Sequence, residues 1–160
     1  NLVLTIQVFE TLGSYDSETD FYIRAFWKHS IGTGFIARTI AKKVKIEPDL
    51  CFMAGILHDL GKLVLDRFFG QFFKAAMDGM HEKGLHSHQV ELETLGTTHP
   101  HVGGYLGPNW SFPENLMEGI TCHHEPSIAR SKPKLANAIC NYLSYGNSGE
   151  VIRQSPTTRI

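Results

Sequence analysis

Residues 57–62 read Leu-His-Asp-Leu-Gly-Lys, and the placing of this hexapeptide decides the fold. Before it, Glu47-Pro48-Asp49 leads an apolar run to Leu57. Pro48 suits the first turn of a helix, where its fixed φ fits and its missing N–H has no helical partner to lose. After it, residues 63–69 keep helical spacing, so Gly61 is expected to interrupt or bend the helix. Neighbouring side chains on a helix point ~100° apart. His58 and Asp59 can therefore face one point only near a helix end or bend, and this stretch supplies one.

Outward from there the pattern stays helical. Between residues 21 and 45, Ala25, Phe26, Trp27, Ile31, Phe35, Ala37, Ile40, Ala41 and Val44 recur mainly at steps of three and four, with Asp20 placed to cap. This predicts a long amphipathic helix carrying His29. Further helices are expected over 71–80, 87–95, 98–106, 113–123 and 133–145, with Ser, Thr or Pro as start signals. Gly84, Gly96, Gly107-Pro108 and Pro126 mark the breaks, and no sustained period-two alternation flanks them. Residues 2–12 are apolar enough for a helix, 13–19 read as a linker, and the polar residues after Tyr145 read as loosely ordered. The expected class is an all-α bundle without a sheet or an internal repeat.

The composition narrows the function. A chain of 160 residues is one domain in size, and its start at Asn1 suggests a fragment. The formal net charge of -1 offers no electrostatic footprint for nucleic acid or an anionic membrane surface. Cys51, Cys122 and Cys140 are odd in number and lack CxxC spacing, which disfavours a disulfide framework or a zinc-thiolate site and points to the reducing cytoplasm. No apolar run approaches the ~18 residues of a membrane span, and the first residues lack the pattern of a signal peptide.

Nine histidines are present, and they do not form a tract. His29, His58-Asp59, His99 and His123-His124 lie on separate stretches, and neutral imidazoles with one carboxylate are what a divalent metal needs where no thiolate is offered. His123 and His124 precede Glu125-Pro126, at a helix terminus where the backbone can turn both rings to one point. The plainer alternatives are a structural Asp-His hydrogen bond, core or capping roles for His29 and His99, and a helix C-terminus favouring positive side chains at 123–124. His81, His86, His88 and His101 are expected at the surface. Phe68, Phe69, Phe72 and Phe73 are expected in the core, with a partner-binding patch as the alternative if they are exposed; Trp27 and Trp110 are expected in the core, and Gly103-Gly104 is expected to serve close helix packing rather than phosphate binding.

The stretches FWKHS at 26–30, LHDLGK at 57–62, ELETLGTTHPHVGGYL at 91–106 and NLMEGITCHHEP at 115–126 together resemble the HDOD family, a signalling branch of the HD-domain superfamily. The likeness runs over residues 1–149, leaving 150–160 as a polar tail. It implies an all-α, HD-like helical bundle, with an N-terminal portion of the family domain missing. Carried over by position, it implies metal ligands at His29, His58, Asp59, His99, His123 and His124. The final aspartate of metal-dependent relatives falls where this chain has Asn141, or less aptly Asn137. An amide oxygen brings no negative charge, so the metal there should be held less tightly. The implied cofactor is a divalent transition metal, Fe, Mn or Zn, as one or two ions.

Lys62 matches a lysine that contacts substrate phosphate in related cyclic-dinucleotide phosphodiesterases, so Asp59 and Lys62 are the candidate catalytic residues; the plainer reading of Lys62 is a solvated helix residue. The GYP motif of those enzymes is absent, since Pro126 is followed by Ser-Ile-Ala-Arg. The resemblance favours a bacterial, cytoplasmic signal-transduction output module that binds a signalling protein or small regulatory ligand. Two alternatives stand beside it: a metal-dependent phosphohydrolase acting on nucleotides or other phosphate esters, and a helical scaffold with a vestigial pocket.

Overall fold

The computed structural model describes residues 20–128. Among the described residues there are six α-helices and no strand: α1 (Asp20–Val44), α2 (Pro48–Leu57), α3 (Leu60–Lys83), α4 (Ser87–Leu95), α5 (His99–Asn109) and α6 (Glu114–Thr121), followed by a 3-10 turn at Pro126–Ile128. The expected all-α class is what the chain adopts. The elements anticipated at 2–12 and 133–145, the tail, and Cys140, Asn137 and Asn141 lie outside the described residues.

The buried face of α1 runs through Phe26, His29, Ser30, Thr33, Ala37 and Ala41, the stripe that steps of three and four produce. Its small side chains let α2 approach closely. A Cβ added to Gly55 would stand 2.7 Å from the Gly34 Cα, so two glycines allow these backbones to touch. A first core joins this pair to α6 through Met53, Ile56, Leu57, Leu60, Leu116 and Ile120. A second core holds α3 against α4 through Leu65, Phe73, Met77, Met80 and Val90, with Val102 of α5 packed on it.

Several boundaries follow local chemistry. Gly84 (φ 63°) and Gly96 (φ 69°) end α3 and α4 in the left-handed region, and their N–H groups donate to the Met80 and Leu92 carbonyls. Residues 63–69 and 71–80, expected as separate helices, form the single α3, bent where Phe69 leaves helical geometry (φ -133°, ψ 32°). That bend also corrects the expectation for the phenylalanines. Of the four, Phe73 is buried, whereas Phe68, Phe69 and Phe72 are 67%, 51% and 61% exposed. In a straight helix Phe69 would share the inner face of Leu65 and Phe73, and the bend turns it outward. Trp27 and Trp110 do pack against the first core. Gly103 meets Ile120 of α6 closely, as helix packing requires. No helix among the described residues is long and apolar enough to cross a membrane.

Gly61 has a different role from the one expected. The turn of the chain falls at His58 and Asp59, the latter at φ -94° and ψ 8°, and Gly61 lies inside the first turn of α3. A Cβ on Gly61 would fall on the carbonyl oxygen of His99. Its bare backbone is what lets the start of α5 reach Asp59. Gly61→Ala is expected to destabilise the protein by about 1–3 kcal/mol through overpacking. Calorimetry should show Tm lower by about 3 °C or more.

Candidate metal centre

Four stretches place their side chains at one buried point. His29 comes from the middle of α1, His58 and Asp59 from the α2–α3 turn, His99 from the first residue of α5, and His123 and His124 from just beyond α6. The helix α6 ends at Thr121, earlier than expected, with Cys122 at φ -110° and ψ 9°. The departure from helical geometry frees His123 and His124 from the 100° spacing and lets both rings face inward. His29, His58, Asp59, His99 and His123 are buried, and His124 is half-buried.

The carboxylate of Asp59 divides the cluster. On one side its Oδ1 lies 3.1 Å from His99 Nε2 and 3.6 Å from His123 Nε2. His99 Nε2 is in turn 3.1 Å from both His123 Nε2 and His124 Nε2. On the other side Oδ2 lies 3.3 Å from His58 Nε2 and 3.7 Å from His29 Nε2, and these two nitrogens are 3.2 Å apart. The Lys62 ammonium donates to the same Oδ2 at 3.0 Å. Lys62 is only 3% exposed, so it stands as a counter-ion inside the cluster.

The outer ring nitrogens decide what the inner ones can do. His58 Nδ1 donates to the Gly55 carbonyl at 2.8 Å and His123 Nδ1 to the Ile120 carbonyl at 2.7 Å. Carbonyl oxygens only accept, so both rings carry a proton on Nδ1, and a neutral ring in that tautomer turns a lone pair inward on Nε2. His99 Nδ1 donates to the buried Glu91 carboxylate, 2.7 Å from Oε2, and the same oxygen accepts the His99 backbone N–H at 2.7 Å. Inward lone pairs about 3 Å apart repel unless a proton or a metal ion sits among them. Ligand atoms bonded at ~2.0–2.2 Å to one ion stand at about that separation. The donor set therefore fits a divalent metal, through Asp59, His99, His123 and His124 in one group and His29, His58 and Asp59 in the other.

The electrostatics agree. Burial, the largest influence on Asp59, would raise its pKa, but the neighbouring His58 and Lys62, with the close approach of His123, together hold it well below the usual carboxylate range. Burial pushes His123 down to about 4. It also lowers His124, with His123, His99 and His88 adding to the effect, so both rings are neutral and ready to ligate at ordinary pH. His99 goes the other way: burial, the largest influence, opposes its charge, but the Glu91 carboxylate and the hydrogen bonds to Asp59 and Glu91 together raise the pKa. Glu91 is itself lowered: burial, the largest influence, would raise it, but the charge and hydrogen bonds of His99, with Lys62, together bring it down.

These shifts set a pH dependence. In metal-free protein the raised His99 contributes stability that is full below ~6.5, its unfolded pKa, and is lost as pH rises through the folded value. A metal takes the same Nε2, so binding must displace that proton and runs in the opposite sense. Affinity for Zn²⁺ is expected to rise about tenfold per pH unit until His99 is deprotonated and then to level off. Competition titrations between pH 6 and 9 would show it, and a flat profile would contradict it.

Two residues of the site had no sequence signal. Glu91 is one of two carboxylates in a polar helix, eight positions before the histidine it orients, and neither feature marks it. His88, expected at the surface, is half-buried, and its ring stacks on His124 at 4.1 Å between centroids and 28° between planes. His86 and His101 are exposed, as anticipated. Beside this stack a groove of about 460 Å³ reaches His124, lined also by Glu93, Thr98, His101 and Glu125.

A helical bundle that gathers these histidines around one His-Asp pair is an HD-like domain. The sequence matches the HDOD domain family over residues 1–126, and the chain belongs to that family. Its fold is similar to that of an HDOD domain protein of unknown function from Geobacter sulfurreducens, with a TM-score of 0.75, 25% identity, and coverage of 88% of this chain and 46% of that one. It is also similar to a candidate phosphohydrolase from Shewanella amazonensis SB2B, with a TM-score of 0.72, 23% identity, and coverage of 88% and 53%. An uncharacterized protein of Treponema pallidum (strain Nichols) is 23% identical over 126 residues, which are 78% of this chain and 24% of that protein. The chain thus spans about half of the solved relatives and about a quarter of the curated one.

Proposed function

We propose that this chain is a bacterial, cytoplasmic signal-transduction output module whose HD-like pocket holds a divalent transition metal, Fe, Mn or Zn, and which acts mainly by binding a signalling protein or small regulatory ligand. The position of Lys62 carries this reading. A lysine that grips substrate phosphate must present its ammonium to an open site, whereas here it is buried on Asp59 at 3.0 Å. The cavity on its other side holds about 30 Å³, room for about two waters and not for a phosphate ester. The groove at His124 is lined by Glu93 and Glu125 and by no Lys or Arg among the described residues, which disfavours a polyanionic ligand.

A bound ion would supply a fixed positive charge and Lewis acidity at the end of this groove. The protein's own part is to hold the ligand atoms, exclude water from five of the six side chains and expose the edge at His124. Elemental analysis of untagged protein, followed by a phosphodiesterase and nucleotidase panel with Mn²⁺ or Fe²⁺, tests the reading. Metal without turnover supports it. Fast hydrolysis, abolished by Asp59→Ala, establishes the second reading, a metal-dependent phosphohydrolase. One observation favours that second reading: the two Asp59 oxygens face separate donor sets, as a carboxylate bridging two ions would.

A further inference from the structure

We infer that the centre takes a single divalent ion, on the Oδ1 side of Asp59, and that the Lys62 ammonium serves as the cation on the Oδ2 side. This rests on the metal-binding reading above and goes beyond it by choosing between the two halves of the cluster.

Among the described residues the halves are unequal. The Oδ1 side offers four donors, three imidazoles and a carboxylate oxygen, enough to close a tetrahedral shell or leave an open position in a larger one. Its central ring, His99, is held on both Nδ1 and its backbone N–H by Glu91, and His123 is held by the Ile120 carbonyl. The Oδ2 side offers three donors among the described residues, and its carboxylate oxygen already accepts from Lys62. An ion bonded to Oδ2 at ~2.1 Å would lie close to a buried ammonium that shares the oxygen, and like charges in a dry interior repel strongly. The Oδ1 side avoids this contact, because the carboxylate stands between the two cations and is attracted to both. Lys62 thereby neutralises one oxygen of the aspartate and leaves the other for the metal. In the metal-loaded state His29 and His58 remain paired with each other beside Lys62.

The test counts ions in the full chain. Protein stripped with chelator, reloaded with Mn²⁺ and freed of excess should hold one ion per chain by mass spectrometry, with the electron paramagnetic resonance spectrum of isolated Mn²⁺. Lys62→Met, which keeps the stem and removes the charge, should take two ions and show a coupled pair. If that variant does not fold, His124→Ala and His29→Ala decide: the first should lose the ion and the second keep it. Two ions in the unaltered chain, one in folded Lys62→Met, or loss of the ion in His29→Ala but not His124→Ala would overturn the inference while leaving a metal centre in place. No ion in the unaltered chain would sink the metal-binding reading itself, and this inference with it.

Discussion

Asp59→Ala is expected to abolish metal uptake and to destabilise the metal-free protein by about 3–5 kcal/mol, the range for breaking a buried ion pair from one side. Both effects come from one carboxylate. Asp59 supplies an oxygen to each group of donors, so no partial site survives its loss. It is also the carboxylate on which the buried Lys62 ammonium rests at 3.0 Å, and alanine leaves that charge in place without it. The same loss removes the acceptor that faces His58 and His99. Calorimetry with and without Zn²⁺ separates the two effects. The unaltered protein should gain about 2.7 kcal/mol at an ion concentration one hundred times Kd, seen as a rise in Tm that chelator reverses. The variant should melt lower and show no such rise. A variant that still gains stability from Zn²⁺ would show that the imidazoles alone hold the ion.

Glu91→Ala should weaken metal binding by about 100-fold and Glu91→Gln by about tenfold, although Glu91 is not among the inward-facing donors. The carboxylate accepts twice from His99, at the ring Nδ1 and at the backbone N–H, and so fixes both the tautomer and the position of the helix start that carries it. Alanine removes both acceptors and leaves two buried donors unmatched. Glutamine keeps one oxygen but loses the negative charge that raises His99. The pH profile distinguishes this positioning role from a general loss of packing. In both variants the rise of affinity with pH should level off at a lower pH, because the proton on His99 is no longer held by an anion. An unchanged profile with weaker binding would assign Glu91 to packing alone.

The two variants divide the site along the line between what could be read and what could not. Asp59 was legible because His-Asp at the end of an apolar helix is an arrangement in which both side chains can face one point. His29, His99, His123 and His124 were legible as residue types with the right chemistry on separate helices. Glu91 was hidden because its partner lies on another helix and its neighbours Glu93 and Thr94 are exposed. Lys62 was legible as a cation of interest, either a phosphate contact or a solvated helix residue, and the structure buries it on Asp59. Whether it reaches outward to a ligand or inward to Asp59 depends on the cavity around it, and no local pattern encodes that.

The same contrast holds for the fold. Helix α4 was expected over the residues it occupies, since Gly96 supplies the left-handed end that a chain of L-residues otherwise avoids. The merging of two expected helices into α3, and the outward turn of Phe69, were decided by how Leu65 and Phe73 to Met80 fit against Val90. Gly61 shows it at a single position. From neighbouring residues it reads as a helix breaker, but its bare backbone is needed for the approach of His99, thirty-eight residues away.

Hydrophobic spacing, turn residues and the supply of imidazoles are properties of short stretches, and they were enough to establish an all-α chain with the means to hold a metal. Convergence is a property of packing. The touching backbones at Gly34 and Gly55 bring α1 against α2, and the bare face of Gly61 admits the start of α5. The early end of α6 turns two rings inward. Distances of about 3 Å between atoms far apart in the chain arise from these contacts, because close-packed helices permit few relative positions and each glycine selects one of them.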